Sequence, residues 1–544
     1  VFGGQRISGC TNETEATVTT KYERKFNSEN AAVVDQEHLG GVIGQCEGSI
    51  VDCTNRGTVD QASDPRTVNA GGICGFVRNA AESLSGNANE GEVRIGGAVT
   101  LATVGGVYGS FGKAQTVADA ATTNRGGVTV SGIESIEGAY LRLGGIVGFA
   151  YPGTVLSNLT NAGDMTVDLQ SKFSYYAVGG IAGSVECGAS SCVNEGSLRL
   201  NNNQLLTKGM CKIFVGGIVG INYRPTDDGP HIYEDCANRA EIGFATTDNA
   251  FKVLPSFTGG ILGYTEHPVE VRNCEGAAYI NVNNANAKEN GIFTATGGIV
   301  GAVKGTAALI EKCHVTADMR HYQYNNTWDD PLSAANGGGI VGCALGADEV
   351  NRIAITGCSC SGMVESKRSG AAGIVGYARF SDISDCGFTG GIEGSGPHFA
   401  GGIAGTLANS TIAGCTVKAK NIYGHNASSP SLIGVSGIAA YVVGVSSVSD
   451  CKAYATLIRN STVLGTEDAS VTPDNLFGMG MIVGIDAGTT TVTNCGVGGS
   501  FYLGASEKPQ ELILTLDADS YAKGIIGSGK TATVGGCYYW NGEE

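Results

Sequence analysis

The sequence is poor in charged residues and proline, and it has no long apolar run. Charged residues are 16% of the 544 positions, and the net charge is −17. This negative excess disfavours nucleic acid and simple electrostatic docking on anionic lipid, because it cannot neutralise phosphates. No run of about 18 apolar residues occurs, so the sequence predicts no membrane-spanning helix. With 11 prolines and no Gly-X-Y period, collagen is also excluded.

Catalytic and cofactor motifs are missing as well. The sequence has no His-Glu-x-x-His pattern, no nucleophile elbow with a plausible triad, no phosphate loop and no calcium nonapeptide. Its seven histidines are scattered along the chain. The sequence contains no CxxC pair, the usual sign of a cysteine metal site. Cys358 and Cys360, two residues apart, are only a weak indication of metal binding. We therefore expect a non-enzymatic protein with no cofactor and no metal. A β-helix acting on polysaccharides is the alternative.

Composition also bears on location. Apolar residues make up 42% of the chain, which is enough for a core, while Ser, Thr, Asn and Gly must cover the surface. This profile is typical of an extracellular β protein, so we expect a secreted or cell-surface location. The chain begins at Val1 without an initiator methionine, and we expect it to be a processed or cropped product.

Glycine is what the sequence has in excess, with 86 residues, and much of it lies in one recurring block. Gly-Gly-Ile-Val-Gly, or a close variant, occurs 14 times, ending first at Gly44 and last at Gly527, at spacings of 29 to 44 residues. Repetition at this scale predicts a fold built by stacking similar units.

A second block, of the form Cys-x-Asn-x-Gly-x-Val, follows each glycine block. The best copies begin at Cys53 and Cys192. Three copies carry Asn87, Thr122 or Leu159 in place of the cysteine, and a half-copy begins at Cys10. Twelve of the 18 cysteines occupy this one repeat position, which chance does not explain.

The pair of blocks resembles the GLUG motif, found in tandem in secreted and surface proteins of bacteria and some protists. The resemblance covers the chain from Cys10 to Trp540, including the closing Cys537-Tyr-Tyr-Trp540. It implies surface display or adhesion by association, and it names no activity.

The repeat predicts an all-β fold, a parallel β-solenoid of about 14 turns of about 37 residues, right-handed by default. We expect three strands per turn, and we expect the block glycines to allow positive φ at corners and close backbone approach. A row of separate small β-domains is the alternative. The predicted organisation is a single elongated repeat domain, 1–544, with a partial repeat or cap at 1–39, the array at 40–527 and its end at 528–544.

The cysteines are predicted to form a buried structural column, in which each thiol serves as a small hydrophobe. The column comprises Cys53, Cys192, Cys236, Cys274, Cys313, Cys358, Cys386, Cys415, Cys451, Cys495 and Cys537. Two short loops could instead be closed by disulfides, Cys187 with Cys192 and Cys46 with Cys53.

One irregular arm is a candidate glycan site, since aromatic rings beside amide and carboxylate groups suit a sugar. Its candidate ligand-binding residues are His321, Tyr322, Tyr324, Trp328, Asp329 and Asp330. The alternative is a lateral loop whose aromatic rings cover the side of the solenoid.

The function expected from these features is that of a structural or adhesin-like repeat protein, acting as a rigid stalk or a filament subunit. Glycan binding or processing by the variable arms is the alternative. A third reading is a passive repeat region of a longer enzyme. The expected partners are other protein surfaces or glycans, with head-to-tail self-association through strand edges as a further option.

Overall fold

The computed structural model describes residues 6–20, 36–62, 67–79, 81, 83–97, 99, 101–131, 139–168, 173–202, 212–222, 229–246, 256–284, 294–323, 336–367, 370–393, 399–426, 433–461, 472, 476–505, 508–529 and 532–543. These residues form parallel β-sheets built from short strands, which confirms the predicted parallel β-solenoid. The handedness remains a prediction. By its contacts the chain divides into two compact units, Val1–His267 and Pro268–Glu544, called unit 1 and unit 2 below.

Each turn contains five short strands where we expected three. One complete turn consists of Thr67–Gly71, Cys74–Val77, Leu84–Ser85, Ala88–Asn89 and Val93–Ile95. We call the five series of equivalent strands columns 1 to 5. The number is higher because each sequence block contains a bend. The glycine block spans the corner between columns 1 and 2, and the cysteine block continues from column 4 into column 5.

In unit 1 every column contains seven strands among the described residues. Column 1 comprises Gln36–Gly40, Thr67–Gly71, Leu101–Gly105, Ala139–Gly144, Phe173–Gly179, Lys212–Gly216 and Ser256–Gly259. Column 2 comprises Ile43–Cys46, Cys74–Val77, Tyr108–Phe111, Val147–Ala150, Ala182–Val185, Val219–Asn222 and Leu262–Thr265. Column 3 comprises Arg6–Ser8, Ser49–Val51, Leu84–Ser85, Thr116–Val117, Val155–Leu156, Ala189–Ser190 and His231–Glu234. Column 4 comprises Thr11–Asn12, Thr54–Asn55, Ala88–Asn89, Thr123–Asn124, Thr160–Asn161, Val193–Asn194 and Ala237–Asn238. Column 5 comprises Thr17–Thr20, Thr58–Gln61, Val93–Ile95, Val128–Val130, Met165–Asp168, Leu198–Asn202 and Ile242–Thr246.

Unit 2 repeats this plan, with columns 4 and 5 fused in its later turns. Column 1 comprises Ala295–Gly297, Asn336–Gly338, Gly370–Ala372, Phe399–Gly401, Gly434–Ser436 and Met479–Gly480. Column 2 comprises Val300–Lys304, Val341–Leu345, Val375–Arg379, Ala404–Ala408, Ala439–Val443, Val483–Asp486 and Ile526–Ser528. Column 3 comprises Val269–Arg272, Ala308–Glu311, Ile353–Thr356, Ser381–Ser384, Thr411–Ala413, Val445–Ser449, Thr489–Thr493 and Thr533–Gly535. Column 4 comprises Glu275–Gly276, His314–Val315, Ser359–Cys360, Gly387–Phe388 and Tyr538–Tyr539, and column 5 comprises Ile280–Asn284, Met319–Gln323, Val364–Lys367 and Ile392–Glu393. The fused strands are Thr416–Asn426, Lys452–Ser461 and Gly496–Ala505.

A hairpin interrupts the parallel order near the end of unit 2. Lys508–Thr515 pairs antiparallel with Gly496–Ala505, and a short 3₁₀ helix follows at Tyr521–Gly524.

Glycine is required in the glycine block because backbones of successive turns meet there. A Cβ built on Gly106 would lie 2.1 Å from the carbonyl oxygen of Gly145, and one on Gly72 would lie 2.3 Å from that of Gly106. The predicted close approach is therefore confirmed. The predicted positive φ is wrong for these glycines, because their φ angles are outside that region. Here glycine is needed for the space a Cβ would fill.

The two sequence blocks recur together because they touch across the interior of each turn. The second glycine of a block packs on the column 4 residue two positions after the cysteine. In unit 1 a Cβ on Gly145 would lie 2.3 Å from Cγ of Asn161. In unit 2 a Cβ on Gly373 would lie 2.2 Å from Cγ of Phe388. The glycine thus makes room for whichever side chain faces it.

Candidate functional site

A ladder of buried asparagines runs through column 4 of unit 1. In each link an Nδ2 donates to the Oδ1 of the next asparagine, at 2.7 to 2.8 Å. The ladder consists of Asn12, Asn55, Asn89, Asn124, Asn161, Asn194 and Asn238. From Asn55 onward each Nδ2 also donates to the carbonyl oxygen two residues later, as in Asn124 to Gly126 at 3.0 Å. The six asparagines from Asn55 to Asn238 are fully buried, so their side-chain amides find their hydrogen-bond partners within the protein.

Unit 2 has no such ladder among its described residues, because other side chains occupy the equivalent position. These side chains are Val315, Cys360, Phe388, Val417, Ala453 and Val497. The interior of column 4 is thus polar in unit 1 and largely apolar in unit 2.

The predicted cysteine column is buried in the structure at its internal positions. In unit 2 seven cysteines, each at most 1% exposed, follow one another in successive turns: Cys274, Cys313, Cys358, Cys386, Cys415, Cys451 and Cys495. The thiols donate hydrogen bonds to the carbonyl oxygen two residues earlier, as in Cys386 to Ser384 at 3.2 Å. Hydrogen bonds with the Cys386 and Cys451 thiols raise the pKa of Cys415, and burial raises it further.

In unit 1 the column is interrupted. Cys53, Cys192 and Cys236 are buried, whereas Asn87, Thr122 and Leu159 occupy the intervening turns and are buried as well. Cys537, the last cysteine predicted for the column, is partly exposed.

The two loop disulfides that the sequence left open as alternatives are not formed. Cys46, Cys53, Cys187 and Cys192 are all free thiols, and all four are buried. Burial raises the pKa of Cys187 to about 12, which disfavours the reactive thiolate.

The corner before each cysteine is a feature that our sequence reasoning missed. The residue preceding the cysteine position has a positive φ at Gly9, Asp52, Gly86, Asn158, Ser191, Asp235, Asn273, Lys312, Gly357, Asp385, Gly414, Asp450, Asn494 and Gly536. Glycine, asparagine and aspartate tolerate this conformation best. Their recurrence before the cysteine was the signal that could have revealed it.

The candidate glycan site is only partly described. Tyr324, Trp328, Asp329 and Asp330 lie outside the described residues. His321 faces the core, fully buried, with Nδ1 2.8 Å from Oγ1 of Thr296. Its assignment to a surface ligand site is therefore corrected. Burial lowers the pKa of His321 to about 4, so the ring is neutral at physiological pH.

Tyr322 faces outward and belongs to a polar surface cluster of unit 2. Its hydroxyl donates to Oε1 of Glu365, and Nε of Arg320 donates to Oε2 of the same carboxylate at 2.8 Å. The Arg320 guanidinium lies 5.1 Å from the Tyr322 ring centre and 6.0 Å from that of Tyr279. Partial burial, then the hydrogen bond to Glu365, raises the pKa of Tyr322 to about 12. We call these four residues the Tyr322 cluster.

A shallow groove of about 430 Å³ lies on column 3 of unit 1. Its apolar rim includes Val155 and Ile232, which are 46% and 44% exposed. His231 also lines it, but its Nδ1 lies 3.0 Å from Oδ1 of Asn222. We assign no chemistry to this groove because its histidine is engaged within the protein.

Among the described residues, no three His, Cys, Asp or Glu side chains converge as a metal ion would require. No helix in the described part of the chain is both long and apolar enough to cross a membrane. Comparison with known proteins found no matching family model, no matching curated protein and no matching solved structure.

Proposed function

We propose that this chain is a non-enzymatic structural or adhesin-like repeat protein, located outside the cell or at its surface. The observation that carries the proposal is that the recurring side chains of the repeat point into the interior. In unit 1 the asparagines of the repeat are buried and bonded to one another. In unit 2 the cysteines of the repeat are equally buried. The repeat therefore supports stacking of turns and leaves the outer surface free to vary.

The outward positions support this proposal because they differ between neighbouring turns. The residue after the asparagine is Arg56 in one turn and Glu90 in the next, and the two form an ion pair at 3.1 Å. Glu195 and Arg239 form a second pair at 3.8 Å. Such exposed pairs contribute little stability. A scaffold whose outer face can change without affecting its interior suits display.

Surface location and adhesion can be tested directly. Intact cells of the source organism would be treated with protease, and loss of the chain would be followed by immunoblotting. We expect it to be removed while cytosolic proteins survive. Beads coated with the purified chain should also adhere to cells or glycan-coated surfaces. A protease-resistant intracellular pool, or release of reducing ends from polysaccharides by the purified chain, would refute the proposal.

Glycan binding through the outer surface is a second candidate, favoured by the Tyr322 cluster. Its two aromatic rings flank a guanidinium and a carboxylate, which together offer stacking and directed hydrogen bonds to a sugar. On a glycan array Tyr322→Ala should reduce binding, whereas Tyr538→Ala, at a tyrosine 42% exposed elsewhere in unit 2, should not. Equal binding by both variants would exclude the cluster.

We also propose head-to-tail self-association, because the outermost strand of a parallel sheet can offer its backbone groups to a strand of another molecule. Sedimentation velocity over a concentration series tests it. Assemblies should grow with concentration, and a single monomeric species at high concentration would exclude it.

A further inference from the structure

The cysteine column of unit 2 is a set of metal-ligating groups that the proposed structural function does not use. The residues that directly follow these cysteines pair in register between neighbouring turns: Glu275 with His314, His314 with Ser359, and Ser359 with Gly387. Parallel strands lie about 4.8 Å apart, so an in-register column repeats its side chains at about that spacing. Each gap between turns therefore places two sulfur ligands on either side of one point.

We propose that this column binds soft monovalent cations, copper(I) or silver(I), with one ion in each gap between neighbouring thiols. Thiolate sulfur selects soft ions such as copper(I). If the metal–thiolate bond is about as long as the 2.3 Å found for zinc, two such bonds in a straight line span about 4.6 Å, close to the strand spacing. Zinc is disfavoured because it takes four ligands, whereas each gap supplies two.

The charge balance of the filled column is favourable. Binding of each ion forms bonds to two sulfurs and releases one thiol proton to solvent. Seven thiols enclose six gaps, so the filled column holds six cations, six thiolates and one remaining thiol, and its net charge is zero. Burying net charge without a partner is costly, so a neutral product suits this dry interior.

The carbonyl groups around each sulfur suit both states of the column. The thiol of Cys358 lies 3.5 Å from the carbonyl oxygen of Thr356 and 3.6 Å from that of Ile310. Cys386 has the same surroundings, with the carbonyl oxygens of Ser384 and Ile355 at 3.2 and 3.6 Å. These oxygens accept the S–H proton in the metal-free column, and their dipoles would face a cation once the proton has left.

Packing alone does not demand a cysteine at this position. In unit 1 the equivalent position holds Asn87, Thr122 and Leu159, each fully buried. Three side chains of different polarity and size therefore fit the same position in three successive turns of the same fold. Core packing therefore does not explain why seven successive turns of unit 2 all carry cysteine at this position. Cys537 follows Cys495 in register, because Gly496 pairs with Tyr538, and it is partly exposed.

The experiment titrates the reduced full chain with silver nitrate in chloride-free buffer, and with acetonitrile-stabilised copper(I) without oxygen. Bound metal is counted after desalting, and released protons are measured at constant pH. We expect at least six ions per chain, with about one proton released for each ion in the column. Uptake of fewer than one ion per chain would overturn the proposal.

Two double variants separate a column from independent thiols. The double variant Cys358→Thr/Cys415→Thr removes the two gaps on either side of Cys358 and the two on either side of Cys415. Four of the six column ions should therefore be lost. Cys343→Thr with Cys360→Thr removes two buried cysteines of the same unit that lie outside the column, and no column ion should be lost. Equal losses in the two double variants would refute the column. If the first variant fails to fold by circular dichroism, Cys415→Thr alone should lose two ions.

Discussion

Asn124 offers the sharpest test of the asparagine ladder, because it lies in the middle of unit 1 and has a measurable set of bonds. Its Nδ2 donates to Oδ1 of Asn161 at 2.8 Å and to the carbonyl oxygen of Gly126 at 3.0 Å, and its Oδ1 accepts from Asn89 at 2.8 Å. At a net contribution of about 1 kcal/mol for each bond, Asn124→Ala should lower the free energy of unfolding by about 3 kcal/mol. The cavity left behind would increase that loss.

Asn12 provides the matched control at the described end of the ladder. It is half-buried and donates one ladder bond, to Oδ1 of Asn55 at 2.7 Å. Asn12→Ala should therefore lower the unfolding free energy by about 1 kcal/mol. Both variants would be unfolded in urea and followed by circular dichroism, with the urea dependence of the free energy compared. Equal losses for the two variants, at unchanged urea dependence, would refute the ladder as a cooperative source of stability.

Three further predictions concern the corners and the core. Gly106→Ala should destabilise the protein by about 3 kcal/mol or more, because its Cβ would meet a carbonyl oxygen of the next turn, whereas Gly127→Ala, with its nearest atom 3.8 Å away, should be tolerated. Lys312→Gly should raise the unfolding free energy by about 1 kcal/mol, since Lys312 has a φ of 52°; a loss of stability would contradict this. The pKa of His321, about 4 in the fold and about 6.5 when unfolded, predicts a contribution that is complete above pH 6.5 and declines as the pH falls towards 4, by about 3 kcal/mol in total. In urea unfolding, the free energy of unfolding of His321→Gln should change less with pH over that range. An unchanged pH dependence would exclude His321 as the source of the loss.

The two units use the same backbone plan with different interiors. Unit 1 stabilises column 4 through amide hydrogen bonds, whereas Val315 and Phe388 fill the equivalent space in unit 2. A glycine at the second position of the block permits both solutions, because it has no Cβ to collide with the side chain that faces it. This is why the two blocks recur together although the residue at the asparagine position changes.

Much of the candidate site could not be predicted from the sequence. The spacing of aromatic and polar residues in the arm from His321 suggested one shared site, yet His321 and Tyr322 lie on opposite faces of their strand. Strand alternation explains this, since neighbouring side chains point in opposite directions. The link between Tyr322 and Glu365 depends on which turns are neighbours, and no local pattern contains that information.

The sequence by itself determined the parallel stacking, the inward cysteine position and the close glycine contacts. It could do so because each is a local pattern repeated in every turn, and stacking brings like positions together. Only the tertiary structure decided that Cys46 and Cys53 are free thiols, that a turn has five strands, and that asparagine side chains bond from turn to turn. These depend on side-chain direction and on the bend angles at corners, which a repeat period does not encode.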